Sequence, residues 1–272
     1  MTTLCLTLKE PPAQRVDLSP LTAGHLTGKA LEDVAAIELA TGNRKVRLDS
    51  LFTISGTFVS ELEIHGSCER LDYIAAGMTH GRIVVEGDAG AYLGAGMSGG
   101  SLVVHGNVGA YAATGMHGGR IHVYGSTGDF LAAARPGDHH GMQGGLVLVD
   151  GDTGDRLGDR MRRGMVLIEG NAGDYCASRM VAGTIAVWGT VGKLPGLAMR
   201  RGTLLLQRAS SALPPTFNDC GEYPLNFLTL LVRSWRTLRS KYYSKLPDSG
   251  LRVRRYMGDV ANGGRGEILV RV

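Results

Sequence analysis

Between Gly77 and Leu206 a turn of the form z-M-x-x-G-x-Φ-x-Φ, in which Φ is aliphatic, occurs seven times. Its glycines (Gly81, Gly100, Gly119, Gly145, Gly164, Gly183 and Gly202) recur every 19 residues, apart from one step of 26. The methionines Met78, Met97, Met116, Met142, Met161, Met180 and Met199 keep the same spacing. Position z is glycine in the first four copies, then Arg160, Arg179 and Ala198. Six more glycines, Gly87, Gly106, Gly125, Gly151, Gly170 and Gly189, close the aliphatic pairs. A fixed period near this length marks a solenoid, because so small a unit buries its apolar face only against its neighbours.

The aliphatic pairs form two columns, Ile83 to Leu204 and Val85 to Leu206, two residues apart and mostly β-branched. Residues two apart on a strand face one side, so each repeat predicts one strand with an inward face. Glu86, His105, Tyr124, Asp150 and Glu169 are expected to face outward. Parallel stacking of such strands at ~4.8 Å gives an all-β fold, a right-handed parallel β-helix of seven to eight coils. The glycines then mark corners where a Cβ would be strained.

Bulk composition narrows the class. Of 272 residues, 43% are hydrophobic and 41 are glycine, which without a G-X-Y period excludes collagen and with this aliphatic content argues against disorder. No stretch reaches the length of a membrane span, and Met1–Pro20 carries neither a long apolar run nor a basic start, so neither anchor nor signal peptide is expected. Cys5, Cys68, Cys176 and Cys220 form no C-x-x-C pair, which weighs against a zinc site, an iron–sulfur cluster or a disulfide framework and fits a reducing cytoplasm. Thirteen Arg or Lys against five Asp or Glu follow from Arg200 onward, a balance of +8 in a chain of net charge +4. That basic end is either a solvated tail or a contact for acidic partners. Nucleic acid is not an expected partner, because Tyr242, Tyr243 and Tyr256 form no stacking platform and Trp235 fits an apolar helix face.

Further columns share the register. Tyr92, Tyr111, Phe130, Arg156 and Tyr175 fall at equivalent places, and the neighbouring aromatics should stack as a structural ladder. Asp129, Asp155 and Asp174 would repel one rung apart unless turn N–H groups, arginines or a cation satisfy them; turn capping is favoured over calcium. Arg160, Arg162, Arg163, Arg179, Arg200 and Arg201 gather on one edge of the last repeats, either as a solvated face or as a binding row for carboxylate or phosphate. The single register break inserts seven residues between Gly128 and Gly141. Its loop, with Arg135, Asp138, His139 and His140, is a candidate partner interface. The adjacent histidines lack spaced ligand partners and make a weak metal signal.

The ends depart from the repeat. Residues 1–50 read as a capping segment, with strands at Leu4–Leu8 and Lys45–Leu48 and either strand or short helix over Leu31–Leu39. Residues 51–208 form the glycine-rich coil, beginning irregularly at Ile54 to Ile64 with Leu62 and Ile64 in the columns. Residues 209–272 carry an amphipathic helix of about five turns starting near Pro224, with Leu225, Leu228, Leu231, Val232, Trp235 and Leu238 on its apolar face. An extended tail with a last strand at Gly266–Val270 follows.

The run Gly96-Met-Ser-Gly-Gly-Ser-Leu-Val-Val-His-Gly106 resembles the glycine-rich C-terminal β-helix of glutamate synthase and, more closely, the C subunit of formylmethanofuran dehydrogenase. The tail segments Arg255-Tyr-Met-Gly-Asp259 and Gly264-Arg-Gly-Glu-Ile-Leu269 extend that likeness. It implies a cytoplasmic hetero-oligomer. In the bacterial formyltransferase/hydrolase complex, the chemistry belongs to a metal-dependent amidohydrolase-like subunit and a formyltransferase subunit, beside a further subunit. There, formyl-tetrahydromethanopterin passes its formyl group to a methanofuran-type carrier, with glutamate-rich tail, and on to formate. The arginine row is a candidate anchor for that tail. The Arg- and Ala-rich, Lys-poor composition favours this bacterial version over a tungsten or molybdenum dehydrogenase. The C subunit is then a companion without catalytic residues, and the absence of H-E-x-x-H, G-x-S-x-G and P-loop motifs agrees. No cofactor or metal of its own is expected. A free-standing β-helical acyltransferase is the rival reading; it would need His139 or His140 as catalyst.

Overall fold

The computed structural model describes residues 3–57, 60–210, 213–235, 238 and 251–272. The first part forms β1 (Leu4–Leu8), β2 (Val16–Asp17), α1 (Ala23–Leu26), α2 (Leu31–Ala35), β3 (Glu38–Thr41), β4 (Arg44–Arg47), α3 (Leu48–Leu51) and β5 (Phe52–Ser55). The repeats follow as β6 (Glu61–Ser67), β7 (Leu71–Asp72), β8 (Arg82–Gly87), β9 (Ser101–Val104), β10 (Arg120–Val123), β11 (Gln143–Val149), β12 (Arg163–Ile168), β13 (Thr184–Val187) and β14 (Thr203–Leu206). After them come β15 (Asn218–Pro224), α4 (Asn226–Ser234), β16 (Arg252–Gly258) and β17 (Gly266–Arg271).

The fold is mostly β, built on a 13-stranded sheet of order β15-β16-β17-β14-β13-β12-β11-β10-β9-β8-β6-β1-β5. From β1 to β17 every neighbour in that order is parallel. The predicted columns stand in register: Leu4, Leu62, Ile83, Leu102, Ile121, Val147, Val166, Ile185, Leu204 and Ile268 oppose one another in succession. All are buried, as are the seven methionines. A second parallel ladder joins Ala89, Val108, Thr127, Thr153, Ala172 and Val191 away from the sheet. At the methionine corners each repeat donates to the previous one, as in Ser98 N–H to Met78 O at 2.9 Å and His117 N–H to Met97 O at 2.8 Å. Consecutive repeats are thus bonded along several separate stretches of backbone.

The strand-closing glycines reflect this close stacking more than backbone twist. A Cβ on Gly106, Gly125, Gly170 or Gly189 would lie 2.4–2.5 Å from the carbonyl oxygen of the preceding glycine in its column. Side chains complete the bonding. The predicted aspartate column caps turns: Asp129 accepts from Asp155 N–H (2.8 Å), Asp155 from Asp174 N–H (2.8 Å) and Asp174 from Lys193 N–H (2.7 Å). A parallel column runs through Asp88, Asn107, Ser126, Asp152 and Asn171, each accepting from the backbone one repeat on. The aromatic ladder stacks at centroid spacings of 4.8, 5.2 and 4.7 Å, and Tyr73 adds a rung before Tyr92. Arg156 lies over the Tyr175 ring at 4.8 Å.

The outer face of the sheet is divided. Over the later strands Leu148, Leu167, Ala186, Leu205 and Leu269 form a second buried cluster with Leu228, Val232 and Trp235 of the C-terminal segment. All six predicted apolar helix residues meet this cluster, although α4 itself is described only over Asn226–Ser234 and the rest of the expected five turns lies largely outside the described residues. Glu169, expected on the outward face, is buried, and Trp188, its counterpart in the next repeat, packs against that outer cluster. Leu31–Leu39 resolves into a short helix followed by a strand. Among the described residues no helix is long and apolar enough to cross a membrane.

Candidate functional site

The arginine edge arises from the turn geometry. At Gly77, Gly96 and Gly115 the z corner is left-handed (φ 68°, 66° and 61°), and a Cβ there would meet nothing within 4 Å. Arg160, Arg179 and Ala198 adopt the same conformation (φ 57°, 52° and 58°). A corner with open space beside it accepts a long side chain and sends it to the surface, so loss of the leading glycine leaves the turn intact.

Four of the six predicted arginines, Arg160, Arg162, Arg179 and Arg200, line one groove of about 630 Å³ with His139, His140, Val181 and Asn262. Arg163 and Arg201 are exposed but do not line it. The predicted loop frames this groove. His139 and His140 contribute to its wall, while Arg135 and Asp138 line an adjoining hollow of about 350 Å³ with Arg156, Arg160 and Arg179. Arg135 lies over the Tyr92 ring at 5.2 Å, and Arg160 donates to the Asp138 carbonyl at 3.1 Å.

One countercharge was not foreseen in the row. Asp159 is buried and accepts Arg179 Nε at 2.8 Å, with a second contact to Nη2, and Ser178 Oγ at 2.8 Å. Its hydrogen bond raises the Arg179 guanidinium above the ordinary arginine range. Arg179 is therefore pinned as part of the wall. Among the described residues, Arg160, Arg162 and Arg200 have no acidic partner within 4.0 Å. Guanidiniums without an acidic partner, exposed at Arg162 and Arg200 and half-buried at Arg160, have the chemistry to hold carboxylate or phosphate groups.

No protein-family model matches the chain. It is 31% identical over 94 residues to the C subunit of tungsten-containing formylmethanofuran dehydrogenase 2 from Methanococcus maripaludis, covering 34% of this chain and 35% of the relative. It is 42% identical over 85 residues to the C subunit of the formyltransferase/hydrolase complex Fhc of Methylorubrum extorquens, covering 31% and 32%. The aligned segments thus span about a third of the length of these curated relatives. The structural likeness runs further. A chain in the crystal structure of the formyltransferase/hydrolase complex FhcABCD from Methylorubrum extorquens, in complex with methylofuran, superposes with a TM-score of 0.93 at 40% identity, covering 98% of this chain and 99% of that one. Repeat, tail and full-length superposition agree, and the chain belongs to the family of C subunits shared by formylmethanofuran dehydrogenases and formyltransferase/hydrolase complexes.

Proposed function

We propose that the chain is a non-catalytic structural subunit of a cytoplasmic formyltransferase/hydrolase complex, converting formyl-tetrahydromethanopterin to formate through a formyl-methanofuran-type carrier. Its partners are an amidohydrolase-like hydrolase subunit, which holds the metal, a formyltransferase subunit and one further subunit. The observation that carries this reading is the match over 98% of the chain to a complex solved with methylofuran. In the same reading the repeats wind as a right-handed parallel β-helix of seven to eight coils, supported by the two separate parallel ladders. Residues 1–50 and 209–272 cap residues 51–208; the antiparallel strands β16 and β15 at one end of the sheet support the C-terminal cap. An open parallel edge otherwise invites pairing with other chains.

The groove's role follows from its charge. Arg160, Arg162 and Arg200, with Arg179 behind them, anchor the glutamate-rich tail of the carrier and leave its reactive end free to reach two active sites. Tethering replaces diffusion by a high effective concentration. Arg163 and Arg201 have no part in it. The loop Arg135–His140 is the segment placed to meet a partner subunit over the groove.

Purification of the tagged chain from its native host, with mass identification and metal assay, tests the assignment. Hydrolase-like and transferase-like chains in fixed ratio, without tungsten or molybdenum, are the expected result. Either of those metals, with dehydrogenase chains, would replace the reading with the dehydrogenase one, to whose C subunit the chain is 31% identical over 94 residues. A chain that purifies alone and carries acyltransferase activity would overturn both.

A further inference from the structure

We propose that Cys5, Glu63 and His65 form a binding site for a zinc-type divalent ion, clamping β1 to the first repeat strand. The register produces the cluster. In the parallel β1–β6 pair, Cys5 opposes Glu63 and Thr7 opposes His65. Leu4, Leu6, Leu62 and Ile64 alternate with them and are buried, so the three residues share the outer face. One donor atom from each lies within 4.8 Å of the other two.

His65 Nε2 and Glu63 Oε2 are 3.0 Å apart, so two of the donors already converge. An ordinary ion pair accounts for that much. It does not account for a thiol held beside both on a different strand. Zinc takes sulfur at about 2.3 Å and nitrogen or oxygen at about 2.0–2.2 Å, which a modest contraction of these side chains would supply. Mixed thiolate, imidazole and carboxylate ligation favours zinc-like ions over magnesium or calcium. All three residues are half-buried, leaving access for the ion and for water as a fourth ligand. Binding expels the thiol proton to solvent, so affinity rises with pH.

The clamp sits one strand in from the sheet's edge. Among the described residues, only β5 lies outside β1, antiparallel to it, with Ser55 opposite Cys5. An ion bridging β1 to β6 resists peeling of this end from the repeats. Sequence spacing hides the site, because Cys5 lies far from Glu63 and His65 along the chain, and only strand pairing unites them.

The test uses the full chain, stripped with chelator and titrated with cobalt(II), then zinc(II). One equivalent of cobalt should bind with a near-ultraviolet thiolate-to-metal band that zinc displaces, and zinc should raise the thermal midpoint. Cys5→Ser should abolish the band and the midpoint rise, and His65→Gln should weaken binding roughly tenfold or more, while Cys220→Ser changes neither. Far-UV circular dichroism checks that each variant folds, and His65→Gln keeps the test decisive should Cys5→Ser not fold. Absence of the band, its survival in Cys5→Ser, or binding that is lost instead in a His139→Ala/His140→Ala double variant would overturn the proposal.

Discussion

Two glycines four residues apart make opposite demands. Gly115 and Gly119 both have left-handed backbones (φ 61° and 88°). Beside Gly115 an added Cβ meets nothing within 4 Å, and Ala198 already occupies the equivalent corner. At Gly119 the same atom would lie 2.7 Å from Met97 Cε, 2.9 Å from the Gly100 carbonyl oxygen and 2.9 Å from Gly99 C. The methionine methyl can move. The preceding repeat's backbone cannot, because the Gly100 carbonyl accepts Arg120 N–H at 3.0 Å. Gly115→Ala therefore costs only the left-handed penalty, about 1 kcal/mol. Gly119→Ala adds overpacking of about 1–3 kcal/mol. At roughly 2–4 °C per kcal/mol, the thermal midpoint should fall by about 3 °C for Gly115→Ala and about 10 °C for Gly119→Ala, read by circular dichroism. Equal shifts would refute the claim that the neighbouring repeat's backbone fills the space beside Gly119.

Two further outcomes follow from the same geometry. Ile121 is fully buried between Leu102 and Val147, so Ile121→Ala should destabilise by about 3–4 kcal/mol in denaturant unfolding, whereas Ser101→Ala on the outer face should be close to neutral. The hydrogen bonds from Arg254 (2.6 and 2.9 Å), with one from Gly221 N–H, hold the Asp219 carboxyl below the usual aspartate range. A depressed carboxyl pKa contributes stability above about pH 4 that is lost as pH falls further, so Asp219→Asn should lower the midpoint at pH 6 and lose its effect in acid.

The repeat exposed much of this molecule to inspection because one register governs every column. Ile83 to Leu204, Tyr92 to Phe130 and Asp129 to Asp174 could each be read by adding a constant offset. Tyr73 follows from the same offset carried one step back, but it precedes the first motif, so the motif alone does not point to it. The second capping column is less legible because its members are Asp, Asn and Ser; their common feature is an acceptor oxygen, not an identity. A buried aspartate holds Arg179, and because the places equivalent to Asp159 in the other repeats carry no aspartate, no column announces it. Arg163 and Arg201 share the charge and spacing of Arg162 and Arg200, yet each precedes the inward-turning glycine and leaves the groove. Columns on a periodic chain report which residues neighbour one another, and say less about which way surface side chains lead.

The most direct measurement is calorimetric titration of a glutamate oligomer into the full chain at low ionic strength, with two charge-matched double variants. Arg162→Glu/Arg200→Glu and Arg163→Glu/Arg201→Glu change the net charge equally, but only the first pair lines the groove. The account predicts that the first weakens binding by about tenfold or more and the second by about twofold or less, because local contacts outweigh the diffuse field. Equal losses in the two variants, or no binding to the unmodified chain, would contradict it.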